Sequence, residues 1–220
     1  MKILVISPHP DDETLGCGGT LLRHKDEEDE LNWIIMTTLN KNMGWTDFEI
    51  DKRESEIKKV AEKYDFNNVF NLSISTTKID TLPISELVNK IGKIYNKTKP
   101  EIIYMPYVYD VHSDHRVTAK AFQSTFKWFR YPFIKKVMMY EVLSETEFNF
   151  INKVSFKPNI FVDISDYLDE KIKIMKIYDG EMGKFPFPRS EKNIRSLSYL
   201  RGCQSGFNSA EAFELVYERR

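Results

Sequence analysis

KILVISPHPDDETLGCGGTLLRH, residues 2–24, is the stretch on which the fold turns. Ile3, Leu4, Val5 and Ile6 are apolar in succession rather than in alternation, which is how a strand covered on both faces reads. Pro8 and Pro10 break that run, and from Glu13 to His24 the spacing becomes helical. A strand that passes through a short polar turn straight into a helix opens a βα unit.

The same alternation continues outward. Residues 33–38 (WIIMTT) read as a second strand, and residues 47–64 as a helix with Ile57, Val60, Ala61 and Tyr64 on one face. Residues 69–72 form a third strand. A helix over 83–97 follows, with Pro83 near its first turn and Leu87, Ile91, Ile94 and Tyr95 on one side. Residues 102–106 (IIYMP) are a fourth strand, 115–129 a helix with Phe122, Phe126 and Phe129 in register, and 136–142 a fifth strand. Crossovers of this length require parallel strands with helices laid over the sheet. The expected architecture is α/β: a three-layer sandwich with a mostly parallel, Rossmann-like sheet, in a single domain over 1–220. The last third is harder to place. Residues 160–164 suggest a strand, 166–179 and 190–201 helices, and 212–217 either, as an elaboration that shapes the pocket and a subunit contact.

At 220 residues, 41% of them hydrophobic, the chain can bury a sizeable core. Thirty-two basic against thirty-three acidic residues leave a net charge of −1, which argues against a nucleic-acid or anionic-membrane binder. No stretch approaches the roughly 20 apolar residues that cross a bilayer. The apolar run before Pro8 is about five residues, short of a signal-peptide core. Cys17 and Cys203 are too few for a disulfide framework or a four-thiolate zinc site, so a reducing, cytoplasmic setting is expected.

In an open parallel sheet, ligands bind beyond the carboxyl ends of the strands, and two polar clusters fall there. One is Pro8-His9-Pro10-Asp11-Asp12-Glu13 after the first strand; the other is His112-Ser113-Asp114-His115 after the fourth. These strands are neighbours across the switch point of a common doubly wound order, which brings the clusters to one crevice. Imidazoles and carboxylates suit zinc or another first-row divalent ion, with a spare carboxylate as general base and a spare histidine for the carbonyl oxygen. Spacing does not say which carboxylate binds metal and which takes a proton. Taken alone, Asp11, Asp12 and Glu13 could simply cap the helix, and His112 and His115 could lie in an exposed loop entering one.

PHPDDETLGCGG followed about a hundred residues later by HSDH resembles the LmbE-like/PIG-L family of zinc-dependent N-deacetylases, which act on N-acetylglucosamine conjugates. SETEF at 144–148, PNIFVDIS at 158–165, PRS at 188–190 and RG at 201–202 extend the likeness over nearly the whole chain. The resemblance implies His9, Asp12 and His115 as metal ligands and Asp11 as general base. It implies His112 as the imidazolium that stabilises the oxyanion or protonates the leaving amine, Asp114 as the carboxylate orienting His112, and Glu13 as a support of the loop. Asp110 stands where some members carry an oxyanion-stabilising tyrosine, and the adjacent Tyr109 would point elsewhere on an extended loop.

The remaining polar residues have plainer readings. Gly16-Cys17-Gly18-Gly19 lacks the dinucleotide-binding spacing and suits close packing, with Cys17 a small buried hydrophobe. His24, between Arg23 and Lys25, reads as a solvated helix end. Arg53 reads equally as a substrate contact or as the partner of an acid such as Glu56; Arg189 and Arg201 have weaker claims on substrate. Phe185, Phe187, Phe207 and Phe213 could form a sugar platform, although packing is the commoner use.

The expected activity is metal-dependent hydrolysis of the N-acetyl group of a GlcNAc-type sugar or glycoconjugate, releasing acetate. The expected metal is Zn²⁺, and Fe²⁺ suits the same donors. The partner is a small amino sugar or its conjugate, and family members often form homo-oligomers. Two alternatives stand beside it: a related amidase or esterase, and a non-catalytic sugar- or nucleotide-binding module.

Overall fold

The structure, a computed structural model, describes residues 1–151 and 154–220. Strand β1 (Lys2–Ser7) leads into helix α1 (Asp12–Asp26), followed by β2 (Glu30–Thr38), α2 (Asp47–Tyr64), β3 (Asn68–Ser75), α3 (Ile84–Thr98), β4 (Ile102–Pro106) and α4 (Ser113–Thr125). The chain continues through β5 (Lys136–Tyr140), β6 (Ile160–Asp163), α5 (Leu168–Met175), α6 (Glu191–Ser205) and β7 (Ala210–Glu218). The sheet has seven strands in the order β3-β2-β1-β4-β5-β7-β6. The pairs from β3 to β5 are parallel, and β7 runs antiparallel between β5 and β6.

β1 is covered on both sides, as its unbroken apolar run requires. Ile3 and Val5 join a core with α1, α2, α5 and α6, while Leu4 and Ile6 join a second core with α3 and α4. Val5 pairs with Trp33 on one side and Tyr104 on the other, so β1 and β4 are adjacent where the strand order reverses. Their carboxyl ends therefore open on the same crevice.

Two segments differ from the sequence reading, and a third that it left open is a strand. Helix α4 stops at Thr125 because Phe126 turns extended (φ −65°, ψ 112°), which leaves Phe129 exposed rather than on the buried stripe. Residues 212–217 belong to strand β7, whose Ala212 and Phe213 are buried against neighbouring strands. His24 is a buried residue, not a solvated end: Nδ1 meets Asp29 Oδ2 at 2.7 Å and Nε2 meets the Tyr104 hydroxyl at 2.9 Å. Successive helical positions lie about 100° apart, so exposed Arg23 and Lys25 flank an inward His24.

Helix α1 is interrupted at Cys17 (φ −144°, ψ 22°), and β7 repairs the break. The Glu211 carboxylate accepts from the amides of Gly19 (2.9 Å) and Thr20 (2.7 Å), capping the second half of the helix. Buried Lys171 donates to Glu211 at 2.7 Å and to the Leu15 carbonyl at 2.9 Å, across the break. The glycines permit close approach here: a Cβ on Gly19 would sit 2.6 Å from Ile164.

Candidate active site

Two backbone features place the first cluster. The Pro8 carbonyl accepts from the Thr37 amide (3.1 Å) and hydroxyl (2.8 Å), tying the turn after β1 to β2. Asp11 then takes a positive φ of 129°, rare for a residue with a side chain, as the residue before α1. Its amide donates to Glu13 Oε2 at 3.0 Å, and Glu13 Oε1 accepts from the hydroxyls of Thr14 (2.7 Å) and Tyr178 (2.8 Å). Glu13 thus holds the turn. The Asp11 carboxyl makes no capping bond and is left for other work.

The second cluster arrives on the first turn of α4, and the two meet. The His9 ring lies 4.6 Å from His112 and 5.3 Å from His115, centre to centre. Asp12 Oδ2 accepts the His9 amide at 2.8 Å and lies 3.4 Å from His9 Nδ1 and 3.3 Å from His115 Nε2. His9, Asp12 and His115 offer three donor atoms within 4.8 Å of one another. His115 is wholly buried, its Nδ1 hydrogen-bonded to Asp110 Oδ2 at 2.8 Å, while its Nε2 has no hydrogen-bond partner. Thr146 Oγ1 donates to the other Asp110 oxygen at 2.6 Å.

These donors demand a positive charge. An Nδ1–H given to Asp110 leaves Nε2 as a lone pair facing a carboxylate oxygen, an arrangement that only a cation or an added proton relieves. The titration directions agree. Burial alone would lower the His115 pKa, but Asp12 and Asp110 raise it well above the ordinary imidazole range. Burial likewise opposes ionisation of Asp12, yet the imidazoles of His115 and His9 hold its pKa far below the carboxylate range. The residues therefore fit a divalent ion with imidazole and carboxylate ligands.

Around this set, Asp11 is tuned the other way. Burial first, then the charges of Asp12 and Glu181, push its carboxyl well above the ordinary range, with Arg189 and His9 opposing. Burial pulls His9 down, but hydrogen bonds to Asp114 and Asp12 outweigh it and carry the pKa up to about 9.

The geometry bears on two roles implied by resemblance. The Asp114 carboxylate does not grip His112, from whose Nδ1 it lies 4.0 Å; it accepts from His9 Nε2 at 3.1 Å and from the Thr77 amide at 2.7 Å. The backbone amide of Asp114 does the orienting, donating to His112 Nδ1 at 3.1 Å. For His112, burial, then the charges of His9 and His115, lower the pKa to about 4, which favours the neutral ring. With Nδ1 accepting, the single proton of the neutral ring sits on Nε2 as a hydrogen-bond donor.

A cavity of about 390 Å³ opens over the cluster, lined by His9, Asp11, Asp12 and His112. Arg53 lines it and pairs with acids: its Nε is 3.2 Å from Glu56 and its Nη2 2.6 Å from Glu181. Arg189 lines the same wall, 3.1 Å from Glu181 and 2.9 Å from Ser144 Oγ. The sequence reading gave Arg189 only a weak claim and did not reach Asp110 as a histidine partner, Thr146, Glu181 or Trp45. An acid five residues before a candidate ligand was the available signal for Asp110; the others come from loops whose placement local pattern does not encode.

An α/β sheet with a cation-seeking His-Asp-His set beside a carboxyl of raised pKa, at the switch point, has the arrangement of a metal-dependent hydrolase. Comparison with known proteins narrows that class. The family described as PIG-L: GlcNAc-PI de-N-acetylase matches residues 4–126, and the chain belongs to it. Diacetylchitobiose deacetylase of Thermococcus kodakarensis is 28% identical over 98% of this chain and 83% of its own. The structure of N,N'-diacetylchitobiose deacetylase from Pyrococcus horikoshii superposes with a TM-score of 0.77 at 24% identity, covering 98% of this chain and 83% of that one. GalB, a 4-carboxy-2-hydroxymuconate hydratase from Pseudomonas putida, also scores 0.77, at 17% identity over 100% of this chain and 98% of that one. Those structural likenesses establish the fold. Among the described residues, no helix is long and apolar enough to cross a membrane.

Proposed function

We propose that this protein removes the N-acetyl group from an N-acetylglucosamine-type sugar or glycoconjugate. In this reading His9, Asp12 and His115 hold a divalent ion, Zn²⁺ in the first instance, and Asp11 is the general base. One observation carries it: the buried, unpartnered Nε2 of His115 faces Asp12 in the cavity where Asp11 is held free of capping. Family membership and the diacetylchitobiose deacetylase relative support an acetamide of a glucosamine as the bond cleaved. We read residues 1–220 as one domain, supported by a single sheet that takes strands from both ends of the chain.

A bound divalent ion supplies Lewis acidity that makes water a nucleophile near neutral pH. Asp11 takes a proton from that water as it adds to the acetamide carbon. The Nε2–H of neutral His112 donates to the oxygen that gains charge, a contact strongest in the transition state. Asp11, its affinity for a proton raised by burial and by Asp12, returns the proton to the departing nitrogen as the C–N bond breaks. Acetate and a free amine leave. Asp114 keeps His9 aligned, and Arg53, fixed by Glu181 on the cavity wall, offers its guanidinium to sugar hydroxyls.

The test is acetate release from N-acetylglucosamine, diacetylchitobiose and nucleotide- or lipid-linked N-acetylglucosamine, with acetate esters as controls. Protein is stripped by chelator and reloaded with Zn²⁺ or Fe²⁺. The expected result is amide hydrolysis that vanishes on stripping and returns with metal. Ester hydrolysis alone, or activity indifferent to metal, overturns the reading.

A further inference from the structure

The cavity is lined by charged residues that pair with one another and by one aromatic ring that pairs with nothing among the described residues. Arg53 and Arg189 both bind Glu181, Arg53 also meets Glu56, and Lys52 is paired with Asp179. Trp45 lines the same cavity and stands 39% exposed, against 6% for Asp11 and 3% for Asp12, so it forms the rim while they form the floor. The other two tryptophans are engaged. Trp33 is buried, donates to Ser7 Oγ at 2.5 Å and stacks on Phe66 at 5.3 Å; Trp128 packs edge-on against Phe129 at 5.9 Å. Trp45 has neither a hydrogen bond for its indole N–H nor a ring or cation against its face among the described residues.

The backbone presents this ring deliberately. Gly44 takes a left-handed φ of 90°, with nothing within 4 Å of where a side chain would be. Thr46 then starts α2 with a reciprocal cap, its hydroxyl accepting from the Glu49 amide while Glu49 accepts from the Thr46 amide at 2.9 Å. Trp45 is held between a turn and a capped helix start, which limits the entropy lost when something settles on it. A large aromatic left wet at a cavity rim is the usual anchor for a ligand with an apolar face and a polar edge. A pyranose ring has both: its axial C–H bonds match the indole face, and its hydroxyls match the N–H and the charged residues lining the same cavity.

We propose that Trp45 is the stacking platform for a second ring beyond the reacting sugar, making this site selective for an N-acetyl sugar that carries a further sugar over the free monosaccharide. The proposal rests on the N-deacetylase reading above and adds its substrate preference.

The experiment compares wild type, Trp45→Ala and Trp45→Phe, all metal-loaded, on N-acetylglucosamine and on diacetylchitobiose. Trp45→Ala is expected to lower kcat/KM for the disaccharide about tenfold more than for the monosaccharide, the ratio that a stacking contact of ordinary strength supplies. The loss should lie in KM, and Trp45→Phe should recover most of it. An equal change on both substrates overturns the platform. A second measurement does not depend on turnover: diacetylchitobiose titrated into the Asp11→Asn protein should shift tryptophan fluorescence, and the shift should vanish when Trp45→Phe is added. If wild type cleaves no N-acetyl sugar yet that shift is seen, the deacetylase reading fails and the platform stands. If no shift is seen, or it persists without Trp45, the platform is overturned.

Discussion

Two histidine–carboxylate clusters sit at opposite edges of the same sheet. At the amino-terminal edge, His24, Glu27 and Asp29 could geometrically hold a metal ion, as could His9, Asp12 and His115 at the carboxyl edge. They differ in what their donor atoms are already doing. Both nitrogens of His24 are satisfied, one by Asp29 and one by Tyr104. His115 has one nitrogen on Asp110 and the other facing Asp12 without a partner. A buried polar atom left unmade costs free energy, and on a ligand-type nitrogen facing a carboxylate that cost is relieved by a bound cation. Proximity of ligand-type residues nominates both clusters; the unspent atom is what distinguishes the proposed metal site from the paired cluster around His24.

The largest effect should come from Asp11→Asn, which keeps shape and removes the base. Turnover should fall roughly 100- to 10,000-fold, the usual worth of general base catalysis. Metal content, measured by atomic spectroscopy, should match wild type. A metal-loaded, active Asp11→Asn protein would show that the tuned carboxyl is incidental.

Next, His115→Ala set against His24→Gln breaks the comparison directly. The first should abolish tight divalent-ion binding in a calorimetric titration and with it acetate release. The second should leave both intact and cost about 1–3 kcal/mol in denaturant unfolding, as a buried hydrogen-bond pair does. Loss of metal affinity in His24→Gln would erase the distinction.

Asp110→Asn sharpens it. The Asp110 carboxylate fixes the His115 ring, and removing such a partner ordinarily weakens metal binding about 10- to 100-fold. The change should appear as a higher metal dissociation constant, with turnover recovered at saturating metal.

The smallest effect is a pH dependence. Burial lowers the His24 pKa below its ordinary value, against the pull of Asp29. The unfolded chain therefore takes up this proton at a higher pH than the folded one. The stability of wild type relative to His24→Gln should be full above about pH 6.5 and shrink as pH falls below it. Parallel stability curves for the two proteins would contradict that assignment.

What was legible in the sequence follows from what local pattern encodes. The run Ile3–Ile6 could only be a strand covered twice, and helix spacing after it fixed the parallel sheet and the meeting of strands β1 and β4. Once those strands are neighbours, His9 and Asp12 must face His112 and His115. The antiparallel β7 escaped because its residues alternate only in part, being flanked by strands on both sides. His24 was misjudged because charged neighbours in sequence lie on a different face of a helix. Asp114 meets His112 through its backbone amide and His9 through its carboxylate, a division spacing does not carry. Trp45, Glu181 and Arg189 reach the cavity from loops, whose paths depend on packing far along the chain.

Glu211 gives the molecule an unusual timetable. The helix that begins at Asp12 is broken at Cys17, and its second half is completed by a carboxylate 191 positions downstream of Thr20. During synthesis the second half of this helix leaves the ribosome long before the carboxylate that caps it. Sequence separations this large slow folding and favour an all-or-none assembly. A nascent or truncated chain ending before residue 211 would carry the His9, Asp11, Asp12, His112 and His115 cluster and still lack the cap that completes the helix bearing Asp12.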